Sequence, residues 1–155
     1  MVAVMVIVED TRNKTGKHEG KHKFWEAAGT GWIRSALPFG DYWPTPKVAV
    51  DTKQDIQEVA LNMCGAGREK RRFREECKKA NEAGCKLVFL IEDSRYKVPE
   101  DLLGGKIWLH NGQTVPGDQV YLAMRMHEER YGCEFWFCDP EESGKIIEEL
   151  LKDGR

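Results

Sequence analysis

Lys47-Val48-Ala49-Val50-Asp51-Thr52-Lys53, followed at once by Gln54-Asp55-Ile56-Gln57-Glu58-Val59-Ala60-Leu61-Asn62-Met63, decides how this chain is read. The first seven residues have the β-branched content and brevity of a strand. In the following ten, Ile56, Val59, Ala60 and Met63 recur at i, i+3, i+4 and i+7, which predicts a helix with one apolar face directly after the strand. Side chains alternate along a strand, so Asp51 and Lys53 project from one face while Thr52 points away.

Immediately upstream, Trp32 to Leu37 reads as another strand, joined to Lys47–Lys53 through Pro38-Phe39-Gly40-Asp41-Tyr42-Trp43-Pro44-Thr45-Pro46, a turn rich in Gly and Pro. This predicts a hairpin that brings Asp41 to the end of the strand carrying Asp51 and Lys53. Further upstream, Val2 to Val8 is a short β-branched run of the kind covered on both faces of a sheet. It leads through Glu9-Asp10-Thr11-Arg12 into a polar, basic loop from Asn13 to Lys23, then a short helix around Phe24 to Ala28.

Downstream, Gly65-Ala66-Gly67 ends the first helix, and Arg68 to Ala83 forms a second with Phe73, Cys77 and Ala80 on one stripe. Lys86 to Ile91 is a buried strand and Lys106 to Leu109 a short one. Gly117 to about Tyr131 is helical, Glu134 to Cys138 is a strand, and Asp139-Pro140 caps a last helix with Ile146, Ile147, Leu150 and Leu151. Strands that follow a hairpin and then alternate with helices predict a three-layer α/β fold, a central mixed β-sheet flanked by helices.

Composition narrows the function. The chain has 155 residues, enough for one self-sufficient domain, and a formal charge of −2 from 24 Lys plus Arg against 26 Asp plus Glu. Any nucleic-acid contact must therefore come from a local basic patch. The five cysteines contain no CxxC pair, and the odd count argues against a closed disulfide framework, so they read as reduced core residues of a cytoplasmic protein. Cys133 and Cys138 flank a strand and should face opposite ways, poor geometry for zinc. The apolar start, Met1 to Val8, lacks a basic n-region and stops at Glu9-Asp10, short of a signal peptide or membrane span.

Asp41 and Asp51 beside Lys53 are what hydrolysis of a phosphodiester by a hard cation requires. Carboxylates, with a backbone carbonyl such as that of Thr52, hold Mg²⁺ or Mn²⁺ through oxygen. Lys53 can orient or deprotonate a water, or offset charge on the phosphate. An Asp-x-Lys on a strand edge is also common surface decoration, and spacing alone does not separate the two. A similar ambiguity attends Arg68, Lys70, Arg71, Arg72 and Arg74, which crowd positive charge at a helix start against its dipole: either they neutralise phosphates, or they form a solvated face paired with Glu69, Glu75 and Glu76. Trp32, Trp43, Trp108 and Trp136 read as core or loop anchors, although Tyr42 and Trp43, next to Asp41, are also candidates for substrate contact.

The order of these segments resembles the nuclease domain of the xeroderma pigmentosum group F (XPF) family, a branch of the PD-(D/E)XK superfamily with a restriction-endonuclease-like fold. Val8-Glu9-Asp10-Thr11-Arg12 stands for that family's Asp-x-Arg-Glu strand end, Leu37-Pro38-Phe39-Gly40-Asp41-Tyr42 for its Leu-x-x-Gly-Asp-Tyr, and Val50-Asp51-Thr52-Lys53 for its Val-Glu-Arg-Lys. Leu87 to Glu92 and Glu134 to Pro140 fall where the family has its later strands, and the Val-Asp-Thr-Lys-Gln-Asp version of the motif resembles stand-alone members from phages and prophages. The resemblance implies a metal-dependent DNA endonuclease in a bacterial or phage setting. Its substrate would be branched DNA of the sort met in repair and recombination, and its products would carry 5′-phosphates.

By the same resemblance Asp41, Asp51 and Lys53 take the catalytic roles, Asp10 joins them as an extra acidic group, and Asp41, Asp51, Thr52 and Asp10 hold the metal. It also implies a single nuclease domain over 1–155, without the helix-hairpin-helix or helicase domains of larger members, and a homodimer. A Holliday-junction resolvase, a restriction-like or nicking nuclease, and a non-catalytic DNA-binding module remain as rivals. Two positions depart from the pattern: Asn13 stands where the family has Glu, with Glu9 or Glu19 as substitutes, and Gln57 where it has Asp, with Asp55 nearby. In the family an Arg-Phe pair lies near Arg72-Phe73, which can brace the site from within.

Overall fold

In the computed structural model, which describes residues 6–37, 40–45, 47–65 and 67–153, β1 (Val6–Asp10), α1 (Glu19–Ala27) and β2 (Gly31–Ser35) form a β-α-β unit with β1 and β2 parallel. Strand β3 (Tyr42–Thr45) then runs antiparallel to both β1 and β4 (Val48–Lys53). Helices α2 (Ile56–Cys64) and α3 (Arg68–Glu82) lead to β5 (Lys86–Ile91). A ribbon of β6 (Lys106–Trp108) and β7 (Thr114–Pro116) precedes α4 (Gly117–Tyr131), β8 (Glu134–Phe137) and α5 (Ser143–Asp153). The main sheet has six strands in the order β2-β1-β3-β4-β5-β8, and β4, β5 and β8 are mutually parallel, so it is mixed as expected.

Both faces of this sheet are covered, which makes three layers. Leu87, Phe89 and Ile91 of β5 pack with Ala49 against α2, α3 and α4, while Val88 and Leu90 join Val48, Val50 and Tyr42 against α1 and α5. That is why Lys86 to Ile91 reads as an almost unbroken apolar run: a central parallel strand has no wet face. Cys133 lies in the first cluster and Cys138 in the second, on opposite sides of the sheet. No helix among the described residues is long and apolar enough to cross a membrane.

Three expectations change. The expected hairpin between Trp32–Leu37 and Lys47–Lys53 does not form. β2 pairs with β1 at the sheet edge, and the partner of β4 is β3, inside the stretch read as turn. Pro44 made that stretch look like a loop; the strand accommodates it where the β3–β4 register shifts between Tyr42 and Thr45. Helix α1 begins at Glu19, inside the expected basic loop, because Lys21 and Trp25 are four apart and both turn inward, Trp25 donating its Nε1–H to the Gly144 carbonyl at 2.8 Å. Trp108 and Trp136, expected as anchors, stand 64% and 44% exposed. Residues 2–5 of the expected first strand and the Trp43 side chain lie outside what is described.

Candidate active site

Strand parity sets the site. Ala49 faces α2, α3 and α4, so Asp51 and Lys53, on the same side of β4, face them too, and both are largely buried. The Lys53 ammonium lies 3.4 Å from Asp51 Oδ1 and 5.6 Å from the ring centroids of both Phe73 and Phe89, which stack on each other. Burial alone would lower the Lys53 pKa, but Asp51, Glu76, Glu58 and Asp41 outweigh it and raise it. What Lys53 offers is therefore a fixed positive charge.

Asp41 is pinned by its backbone and by its side chain. Its N–H donates to the Val50 carbonyl at 2.7 Å and its carbonyl accepts the Asp10 N–H at 2.6 Å, so the residue stitches β4 to β1. Its Oδ2 accepts the N–H and the hydroxyl of Thr52 at 2.7 and 2.9 Å. The chain reaches this position through Gly40 at φ +70°, where a side chain would be strained and an added Cβ would lie a tight 3.1 Å from that of Ala49. Burial and then the neighbouring Asp51 charge push the Asp41 carboxyl well above the usual carboxylate range, against the Thr52 hydrogen bonds.

These residues line a cleft of about 340 Å³ together with Arg12, Lys14, Lys17 and Lys21, with Glu58 and Glu92 also present. Lys21 is tied to Glu92 at 2.9 Å, linking α1 to the end of β5. Beside it a second groove, of about 420 Å³, is lined by Arg12, Arg68, Arg71, Arg72, Lys79 and Glu76. Arg12 belongs to both. The basic residues of α3 thus divide: Arg68, Arg71 and Arg72 flank the site, whereas Lys70 and Arg74 turn to a different pocket beside α4, with Arg130. Phe73 braces Lys53 from within, and Arg72 beside it is exposed.

Other expected residues lie elsewhere. The Asp10 backbone touches Asp41, but its carboxylate turns aside, accepting from Arg12 Nε at 2.5 Å and from the Leu37 N–H at 3.2 Å, and it does not line the cleft. Tyr42 is fully buried, packed edge-on against Trp25 with its hydroxyl 3.5 Å from Glu9, so it cannot meet DNA as expected. Among the proposed substitutes, Glu9 binds His22 at 3.0 Å, Asp55 caps α2 by accepting the Glu58 N–H at 2.9 Å, and Glu19 is exposed on α1. Gln57 accepts from Arg95, which also clamps Asp93, the acceptor for the first N–H of α2.

The carboxylate that sequence reasoning passed over is Glu76. Its Oε1 accepts the Gly40 N–H at 3.2 Å, and its carboxyl comes against that of Asp51. Burial, then the Asp51 charge, raise its pKa well above the ordinary value. A signal existed: Glu76 is three residues after Phe73 and four before Ala80, on the border of the buried stripe of α3, where an acidic side chain needs a reason to sit.

Among the described residues no group of three or more His, Cys, Asp or Glu is arranged to hold a metal ion. The pair Asp41 and Asp51 nevertheless fits a hard cation that keeps most of its water and takes only one or two protein carboxylates. The upward pressure on Asp41 from Asp51 is the like-charge repulsion that a cation between them would relieve.

The fold is that of solved XPF structures. XPF from Aeropyrum pernix superposes with a TM-score of 0.67 at 20% sequence identity, over 95% of this chain and 63% of that one. A structure of XPF from Aeropyrum pernix in complex with DNA gives a TM-score of 0.67 at 19% identity, over 96% and 64%. The chain thus spans a little under two thirds of the chains it matches. No family model matches its sequence, and no curated protein matches it.

Proposed function

We propose that this protein is a Mg²⁺- or Mn²⁺-dependent endodeoxyribonuclease that hydrolyses phosphodiester bonds in branched or otherwise structured DNA. The observation that carries the reading is the meeting of Asp41, Asp51 and Lys53 in one cleft that is also lined by Arg12, Lys14, Lys17 and Lys21, on a fold shared with XPF. A cation held by the two carboxylates, with the Thr52 carbonyl, would act as Lewis acid on a phosphoryl oxygen and lower the pKa of a water. Thr52 fixes Asp41 through both its donors. Lys53, held charged by the surrounding carboxylates, directs N–H donors and positive charge toward the scissile phosphate. Arg12, Lys14 and Lys17 on one side and Arg68, Arg71 and Arg72 on the other offer phosphate contacts indifferent to base sequence and weakened by salt.

The preference for branched DNA and 5′-phosphate products rests on the sequence resemblance. So does kinship with phage and prophage members, through the Val-Asp-Thr-Lys-Gln-Asp motif, and assembly as a homodimer; a monomeric mass at working concentration would remove the last. The test is cleavage of linear, flapped and four-way DNA with Mg²⁺ and Mn²⁺, beside Asp51→Asn and Lys53→Ala. Cutting of the flapped substrate by the wild type alone is expected. Preference for four-way junctions would make it a resolvase, and for linear duplex a restriction-like or nicking enzyme. A wild type that binds but cuts nothing would be a DNA-binding module.

A further inference from the structure

We infer that Glu76 is a positioning residue that sets the separation of the two metal-binding carboxylates, an inference that rests on the assignment of Asp41 and Asp51 proposed above. Those carboxylates arrive on different parts of the chain: Asp51 on β4, Asp41 on the turn after Gly40. Covalent structure does not fix the gap between them. Thr52 fixes Asp41 to β4 from one side. From the other, Glu76 reaches across from α3, one oxygen taking the Gly40 N–H and the carboxyl meeting Asp51, so one side chain spans both supports.

Three features favour bracing over direct participation. Gly40 has φ +70°, a conformation that favours glycine, and its N–H donates to Glu76 of α3, so the turn that carries Asp41 is tied to the helix. An amide at this position keeps the reach of the side chain, with an oxygen for the Gly40 N–H and an NH₂ for Asp51, so bracing asks for no negative charge on residue 76. Finally, α3 is itself anchored on the site one turn earlier, where Phe73 stacks on Phe89 beneath Lys53. A single helical face thus supports the lysine and both carboxylates.

The experiment is Mn²⁺ binding by calorimetry to the full chain, without DNA, for wild type, Glu76→Gln, Glu76→Asp and Glu76→Ala, with melting temperatures and steady-state cleavage alongside. A glutamine keeps both contacts, its oxygen accepting from Gly40 and its NH₂ donating to Asp51, so E76Q should recover most of the wild-type affinity. Aspartate is one methylene too short to span, and alanine reaches neither partner. Both should bind Mn²⁺ about 10–100-fold more weakly, the usual cost of losing a residue that orients a ligand. In cleavage, kcat should fall while KM for DNA holds. Equal affinity in all four proteins overturns the inference and leaves the nuclease reading intact. An E76Q as weak as E76A also overturns it, because Glu76 would then act through its own charge as a ligand. If E76A fails to fold, the contrast between E76Q and E76D decides. A wild type that does not bind Mn²⁺ removes the metal assignment itself, and this inference with it.

Discussion

Two strand ends at the same end of the sheet carry buried acids, and they are solved in opposite ways. At the end of β1, Glu9 and Asp10 are almost fully buried and fully partnered: Glu9 meets His22, Arg34, Asn13 and Tyr42, and Asp10 meets Arg12 and the Leu37 N–H. At the end of β4, Asp51 faces Asp41 and Glu76, with Lys53 as the ammonium in contact. The first arrangement satisfies each charge with donors, which is what a fold does with acids it must bury. The second gathers like charges: burial and then the Asp51 charge raise the pKa of Asp41 and of Glu76, a conflict of the kind that clusters at functional sites. Residue type does not separate a structural acid from a functional one; the inventory of partners does.

The largest expected effect breaks the second arrangement. Asp51→Asn should lower kcat by roughly 10³-fold, because the Lewis-acid contribution of a bound cation is several kcal/mol and each ~1.4 kcal/mol is tenfold. Folding should not suffer, since the substitution removes a negative charge from a site with too many. The melting temperature should be unchanged or higher, and the rise that Mn²⁺ produces in the wild type should disappear. A variant that melts well below the wild type would place Asp51 with the structural acids and collapse the comparison.

Next in size is the converse. Glu9→Ala strips His22, Arg34 and the buried Tyr42 hydroxyl of a shared acceptor. The cost should be about 2 kcal/mol, which for a domain of this size lowers the melting temperature by roughly 4–8 °C. Cleavage by the remaining folded protein, measured below the transition, should stay close to wild type.

Asp10→Asn should lie between. Asparagine still accepts the Leu37 N–H, and the Arg12 pair it weakens is solvent-facing on the arginine side, so stability should fall by less than about 1 kcal/mol. Arg12 lines both grooves, however, and loosening it should cost activity, about tenfold, of the order measured for residues that orient a functional group. An Asp10→Asn as inactive as Asp51→Asn would return Asp10 to the metal site, where the sequence resemblance put it.

That divergence marks how far the sequence was legible. Parity along β4 placed Asp51 and Lys53 on one face, and the apolar run of β5 placed it in the middle of the sheet, because periodicity is a local property of strands. What the sequence did not disclose depends on contacts between distant segments. Tyr42 sits beside Asp41 in the chain yet its ring is buried against Trp25 of α1, since successive strand residues face opposite layers. Pro44 disguised β3 as a turn. Glu76 is 25 residues beyond Asp51 in sequence and reaches it only because α3 packs back on β5, the strand beside β4, which no spacing rule predicts.

His18 lies on the boundary between the two regions and gives the smallest effect. It lines the same cleft as Asp41, Asp51 and Lys53, yet its ring stands edge-on to Tyr42, with centroids 6.2 Å apart, and its Nδ1 is 3.3 Å from the Lys21 ammonium. Burial, then Lys21, with lesser help from Lys17 and His22 and opposed by Glu9, pushes its pKa down to about 4. In the folded protein it therefore stays neutral through a range in which the unfolded chain, near its ordinary 6.5, takes up a proton. The unfolded state binds more protons between those values, so stability is complete above about pH 6.5 and drains away as the pH falls toward 4. The ring is half exposed and solvent screens it, so the loss should be small. Melting temperatures from pH 7.5 to 5 should fall more steeply for the wild type than for His18→Gln, whose amide cannot titrate. Parallel curves would mean that His18 is solvated like an ordinary surface histidine, and that the partnered region stops short of the cleft wall.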